Sequence, residues 1–541
     1  MEKYITPKRV VTAENCIQSE NIVADSPCQA RVMLSRDEEY EKQCVTIRKN
    51  GYVLIDFGRE LHGGICITVQ TVSAPSAKLE AVFGESVMEA LSSIGEKNSD
   101  NHHSIRYWTV SAISMSTQEF GSTGFRFVRL SAHEGDITIS SVKAMPKIRD
   151  LEYKGSFECN DDKLNEIWKT GAYTVQLNMH DYIWDGIKRD RLVWIGDMHP
   201  EVSTINAVFG NDICIKNSLD FVKNSTPAQS WMNGIASYSM WWIIIQHDMY
   251  MHCGNIDYLK EQKEYMTDLV NHAAECVDAG FVLDRYFIDW SSKDTLSEED
   301  GCKSVFCMAF MCASRLFEAL KDEKYSLKCR LYADKLSVDK TKQSLNKSAA
   351  ALSVLSGRDT REVRNRLLGN SAKGMSCFMG YYVLLAKAKL GSFGDALDII
   401  RKYWGGMLQM GATTFWEDFD IEWMENSAGI DCITPAGMRD IHGDFGRYCY
   451  KNFRHSLCHG WASGPTAFLS QCILGIKPIL PGFKKTVISS NIGDLEWVRG
   501  TYPTPYGNIY AEHRRKNEKI VTDYSVPPGV EAEIINGRER C

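Results

Sequence analysis

The sequence has 541 residues, 44% of them hydrophobic and 24% charged, the balance of an ordinary folded protein. At about 150 residues per domain it divides into three or four units, or fewer if one is a large repeat-built domain. A formal net charge of −7 and an isoelectric point near 6.1 exclude the basic field on which nucleic-acid binding depends.

Residues 1–16 contain no apolar leader core, so no signal peptide is expected. Residues 1–148 read as β: VLIDFG (53–58), GICITVQTV (64–72), KLEAVFG (78–84), RYWTVSA (106–112) and ITISSVKAM (137–145) are β-branched or alternating runs between Gly, Ser, Pro and Asn clusters. They predict an antiparallel β-sandwich. Near Asp161 the period lengthens to that of a helix. Asp161 or Asp162 can cap a helix with Leu164, Ile167, Trp168 and Val175 on one face, and helical patterns continue to about 474. Clear cases are 239–251, 304–320 and 376–390, the last closed by Gly391.

The run 240–245 is apolar all round, which suits an inner helix and is too short to span a bilayer. One continuous helical block over 149–474 predicts a layered toroid, with no solenoid repeat. Cys302, Cys307 and Cys312 recur every five residues on a helix, and the eighteen cysteines contain no CxxC pair. They read as reduced core thiols of a cytoplasmic protein, with no disulfide framework and no metal site. After 475 a Pro/Gly-rich link leads into KTVISS (485–490), LEWVRG (495–500), NIYAEHRR (508–515) and KIVTDYSV (519–526), a small C-terminal β domain over 475–541.

The segment most suggestive of chemistry is 182–201, YIWDGIKRDRLVWIGDMHPE. It sets Asp185, Asp190, Asp197 and Glu201 among Lys188, Arg189, Arg191, Trp184 and Trp194. Interleaved apolar residues force some of this charge against apolar surface, which is costly unless paired or functional. Acids held together repel one another, so one is expected to stay protonated near neutrality and serve as a general acid. The plain alternative is a set of surface ion pairs at a helix end. Aromatics make up 11% of the chain, with 13 Trp and 23 Tyr, a lean towards carbohydrate, since flat rings stack on sugar faces.

In the order β sandwich, helical block, β tail, the chain resembles the bacterial α-L-rhamnosidases, glycoside hydrolases with a central (α/α)6 barrel. The resemblance is carried by LIDFGRELHGGI (54–65), FGES (83–86), STGFRFVRL (122–130), DGIKRDRLVWIGDM (185–198), DW (289–290), GATTFWE (411–417) and SLCHGWASGP (456–465). It implies Asp190 as general acid, where many members carry Glu, and Glu417 as general base activating a water. Such an inverting pair should stand about 6.5–9.5 Å apart.

It further implies Asp185, Arg189, Asp197, Asp289, Trp290 and His459 as substrate-binding, with Asp185 and Asp197 keeping Asp190 protonated through their negative charge. Trp194, Trp241 and Trp416 are candidates for the apolar wall against the sugar. The insert 430–453 is expected as a loop near the site mouth, and Asp418, Asp420 or Glu422 could replace Glu417 as base. His455 and His459 stand four apart without an HExxH glutamate, so no metal and no cofactor are expected. The expected activity is removal of terminal α-L-rhamnose from a small glycoside or oligosaccharide, with no nucleic-acid or membrane partner. The rivals are another exo-glycosidase or a glycosidic lyase on the same barrel, or a non-catalytic carbohydrate-binding relative.

Overall fold

The N-terminal strands are β1 (Arg9–Ile17), β2 (Val45–Val72), β3 (Lys78–Gly84), β4 (Tyr107–Ser111), β5 (Ser116–His133) and β6 (Ile137–Pro146), with short helices α1 (Glu38–Glu41) and α2 (Val87–Leu91) between them. The structure is a computed structural model that describes residues 4–32, 37–99, 105–292, 294–340, 343–368, 371–517 and 519–535. The strands pair antiparallel in the order β1-β2-β5-β3-β4, and β6 also pairs β2. Two of the expected runs, 53–58 and 64–72, are halves of the single 28-residue β2. The register shifts between them, and Gly63 takes φ +151° there. A Cβ at Gly64 would stand 2.4 Å from the carbonyls of Phe120 and Gly121, so the pair of glycines serves a bulge, not a turn. Ile47, Val53, Ile55, Ile65, Phe83 and Phe125 form this sheet's core.

β7 (Ser156–Cys159) precedes a series of helices: α3 (Asp162–Asn178), α4 (Met198–Val208), α5 (Ile213–Ser225), α6 (Ala236–Cys253), α7 (Ile256–Asp278), α8 (Thr295–Ala319), α9 (Glu323–Val338), α10 (Lys347–Ser356), α11 (Arg361–Leu367), α12 (Cys377–Lys389), α13 (Phe393–Gln409) and α14 (Gly464–Phe468). The Asp161 carboxylate accepts from the backbone N–H groups of Lys163 and Leu164 and starts α3, as the cap signal implies. Gly391, at φ +77°, follows α12. The even-numbered helices touch in sequence, α4 to α6, α8, α10, α12 and α14, and α14 returns to α4. Trp241, Trp242, Tyr381 and Trp404 are among the buried side chains of this block. Among the described residues no helix is long and apolar enough to cross a membrane.

Between α13 and α14 lies an irregular stretch with the two-residue strands β8 (Ser427–Ala428) and β9 (Arg439–Asp440). The chain ends in β10 (Ile476–Pro478), β11 (Lys485–Ser489), β12 (Trp497–Thr504), β13 (Gly507–Lys516), β14 (Lys519–Ser525) and β15 (Glu531–Ile535). These form two small sheets, β10-β11-β15 and β14-β13-β12-β7. The second takes in β7, a strand from before the helices that the sequence reading did not find.

The N-terminal sheet docks on the helical block through polar ties. Tyr173 donates to the Glu60 carbonyl at 2.7 Å and Arg126 to the Gly411 carbonyl at 2.9 Å. Arg126 also forks onto Asp56 at 2.8 and 3.0 Å, so the DFG and GFRF motifs meet as one buried ion pair.

Candidate active site

Three irregular segments converge where the inner helices begin. Gly460 N–H donates to the Asp185 carbonyl at 2.9 Å, His459 N–H to Phe415 at 2.9 Å, and Glu417 N–H to Ser456 at 3.0 Å. These bonds lock 185–197, 414–420 and 454–461 together beside the starts of α4 and α6. At the tip of the first segment Asp190 and Arg191 adopt φ +57° and +54°. Two consecutive side-chain-bearing residues in that region are strained by roughly 1–3 kcal/mol each, a cost that clusters at functional sites.

The segments enclose a cavity of about 240 Å³. Asp185, Arg189, Asp190, Trp194, Asp197, Trp290, Glu417 and His459 of the expected set line it. Asp289 is buried behind Trp290, its carboxylate taking hydrogen bonds from Ser291 at 2.7 Å and from Ser376. Trp416 is 1% exposed and is not part of the lining. Trp241 lines a separate cavity further along α6. Position on an all-apolar helix, not residue type, decides which cavity an indole faces.

Arg189 organises the cavity. It donates to Asp190 at 2.8 Å through Nη1, to Glu417 through Nη2 and to the Arg454 carbonyl at 2.9 Å through Nε. Glu417 accepts further from Ser456 N–H at 2.9 Å. Asp190 is the more open of the two carboxylates, 19% exposed against 3% for Glu417. Asp185 accepts Leu192 N–H at 2.9 Å and Asp197 accepts Tyr238 O–H at 2.9 Å.

Burial, reinforced by neighbouring acids, pushes the carboxyls of Asp185 and Asp197 well above the usual range. This corrects the expectation that both act through negative charge. Held protonated, each offers a donor as well as an acceptor to a hydroxylated ligand. Burial, then the Arg189 charge, keeps His459 neutral, with Nε2 3.5 Å from Glu417 and Nδ1 unpartnered.

The alternative bases lie off the cavity. Asp418, pushed up to about 7 by burial, faces Arg447 at 3.9 Å; Asp420 pairs with Arg447 at 3.2 Å; and Glu422 pairs with Lys373 at 2.7 Å. Tyr238, Cys449, Tyr450 and Trp461 line the cavity without having been singled out. Trp461 sits inside the quoted SLCHGWASGP and Tyr450 inside the insert, so both were within reach of the sequence.

Beside Glu417 and Ser456, the N-terminal sheet contributes directly. Glu85, just after β3, accepts from Ser456 O–H at 3.2 Å and Leu457 N–H at 2.6 Å. Lys188 bridges Glu85 at 3.2 Å and Glu89 at 3.0 Å and donates to the carbonyls of Phe453 and His455 at 2.6 and 2.7 Å. Glu85, Glu89 and His442 are spaced as metal ligands could be, but the Lys188 ammonium already supplies their cation. His455 Nε2 is occupied by the Asp418 N–H at 2.8 Å.

Residues 152–323 match the bacterial alpha-L-rhamnosidase 6 hairpin glycosidase domain, and 475–540 the bacterial alpha-L-rhamnosidase C-terminal domain. An alpha-L-rhamnosidase of Alteromonas sp. (strain LOR) is 25% identical over 89% of this chain and 55% of its own length. One from Formosa agariphila is 23% identical over 77% of this chain and 48% of its own length. The chain thus spans about half the length of the curated relatives it matches. The GH78 family rhamnosidase of Bacillus sp. GL1 shares the fold at TM-score 0.72 and 19% identity, over 96% of this chain and 56% of that one. The Klebsiella oxytoca rhamnosidase with rhamnose bound does so at TM-score 0.66 and 18% identity, over 87% and 96%. Two matches to domains of bacterial alpha-L-rhamnosidases, together with relatives of that name aligned over most of the chain, make this protein similar to the bacterial alpha-L-rhamnosidases.

Proposed function

We propose that the chain is an inverting exo-glycosidase that hydrolyses terminal α-L-rhamnosyl residues of glycosides or oligosaccharides. Asp190 protonates the departing oxygen, and Glu417 takes a proton from the water that attacks the opposite face of the ring. The observation that carries this reading is the shared guanidinium. Arg189 and Glu417, 228 residues apart, and Asp190 beside them meet on one small cavity.

Asp185, Asp197 and His459 hold the sugar hydroxyls, and Trp194, Trp290 and Trp461 cover its apolar edge. The closed sequence of contacts α4-α6-α8-α10-α12-α14 supports reading the helices as an (α/α)6 barrel over 149–474. A β-sandwich over 1–148 and a β domain over 475–541 flank it. Free thiols throughout the described cysteines support a cytoplasmic location.

The test is turnover of an aryl α-L-rhamnoside by Asp190→Asn and Glu417→Gln, with the anomer of the first-formed sugar followed by NMR. Losses of order hundreds-fold or more and a β-configured product fit the mechanism. Activity within a few-fold of the parent in both variants, or an α-configured product, would remove it.

A further inference from the structure

The helical ring holds a second and larger cavity, about 550 Å³, for which the reaction proposed at Asp190 and Glu417 has no use. The inner helices lead from one to the other. Tyr238, near the start of α6, lines the first cavity, whereas Asp248 and His252 further along α6 line the second. At 1.5 Å per residue, Tyr238 and His252 are about 20 Å apart along the helix axis.

The lining of the second cavity is partly polar and partly aromatic. Two of its buried polar residues are incompletely paired. Asn206 is 5% exposed, and its Oδ1 has no hydrogen-bond partner. His252 is 4% exposed; its Nε2 lies 3.2 Å from the Pro503 carbonyl, which can only accept, so Nε2 carries the hydrogen and Nδ1 is a lone pair without a partner. Both are acceptors inside a cavity, and both call for a donor.

The same lining offers flat faces: the Trp241 ring is stacked on His199 at 5.1 Å and tilted against Tyr382 at 4.8 Å. Met251, Met308 and Leu385 complete an apolar wall. The lining's cations include the exposed Arg315 and Lys389. Its acid, Asp248, is already spanned by His199 and His247, each at 3.0 Å. Lys389 is tied to the Leu355 carbonyl at 2.9 Å, whereas Arg315 has no hydrogen bond or ion pair among the described residues.

We propose that this cavity is a second ligand site, distinct from the glycosidase site, that takes a small hydroxylated aromatic acid. The ring lies against Trp241 and Tyr382, its hydroxyl donates to Asn206 Oδ1, and its carboxylate forks onto Arg315. The assignment does not depend on the reaction at Asp190 and Glu417.

Isothermal titration of the full chain with 3-(4-hydroxyphenyl)propionate, its neutral primary amide and the unhydroxylated 3-phenylpropionate tests it. The hydroxylated acid is expected to bind one to one, with the amide weaker by about ten-fold or more, the cost of losing a charge-assisted pair. Arg315→Ala should bring the acid down to the affinity of the amide while leaving turnover of an aryl rhamnoside unchanged. Asn206→Ala should erase the difference between the two acids. Absence of saturable binding by the hydroxylated acid, equal binding of acid and amide, or unchanged acid affinity in Arg315→Ala would overturn the proposal. Because Arg315 is exposed, that variant keeps the test decisive even if the Asn206 variant folds poorly.

Discussion

Arg189 reaches two carboxylates because its guanidinium is a planar fork, with Nη1 on Asp190 and Nη2 on Glu417. A lysine ammonium in its place is a single point that cannot hold both. Arg189→Lys is therefore expected to lower kcat/KM on an aryl α-L-rhamnoside by about a hundred-fold, the cost of a misplaced catalytic group. Near-parent kinetics in that variant would mean that the fork does not position the pair. Glu201 makes a different case: it is 1% exposed, with neither carboxyl oxygen partnered, and burial pushes its carboxyl well above the usual range.

The folded chain therefore keeps a proton that the unfolded chain sheds above about pH 4.3. The stability this gives is complete below that pH and is lost as the pH rises towards the folded value. The neutral isostere Glu201→Gln should match the parent in stability near pH 5 and exceed it at pH 9 by on the order of 1–3 kcal/mol, read as a higher melting temperature. Melting curves that stay parallel across that range would refute this. At this scale the sequence disclosed the acids and Arg189 through their density in 185–197. It could not rank Trp194, Trp241 and Trp416 as wall residues, because an indole reads alike on either face of an inner helix.

Among the elements, the turn from β3 into α2 does more than connect. Ser86 caps α2 by accepting Glu89 N–H at 3.1 Å, and the same short stretch presents Glu85 and Glu89 to Lys188. Replacing Lys188 by Met leaves two buried carboxylates without their cation and two carbonyls without a donor. Such a loss costs about 3–5 kcal/mol, which should appear as a lowered urea midpoint with an unchanged slope. An unshifted midpoint would show that the acids are neutralised in another way.

Element types were largely readable: β3, α3 and β11 begin or run where alternation, caps and turn residues place them. The failures have local causes. The Gly63-Gly64 pair reads as a turn but accommodates a bulge inside β2. β1 carries broken alternation on a half-exposed edge, and β7 is only four residues long and is held by a partner far along the chain.

For the molecule as a whole, the order of sheet, helices and sheets was legible because the hydrophobic period changes near 161 and again near 475. How the parts depend on one another was not, because Glu85, Arg126 and Glu60 act across long sequence separations. Their contacts predict that residues 149–541 expressed without the N-terminal sheet lose activity by about a hundred-fold or more even where circular dichroism reports the helices formed, since Ser456 and Leu457 next to Glu417 lose Glu85. Full activity of that fragment would mean that the sheet is not a working part of the site.

The short ladder between β7 and β12 has a consequence for biosynthesis. Ser156 pairs with Thr501 and Cys159 with Val498, so the strand that leads into α3 finds its partner in residues that emerge from the ribosome only after all the described helices have been translated. Until then β7 carries an unpaired strand edge. That edge is a template for mispairing for as long as the helices between β7 and β12 are being made.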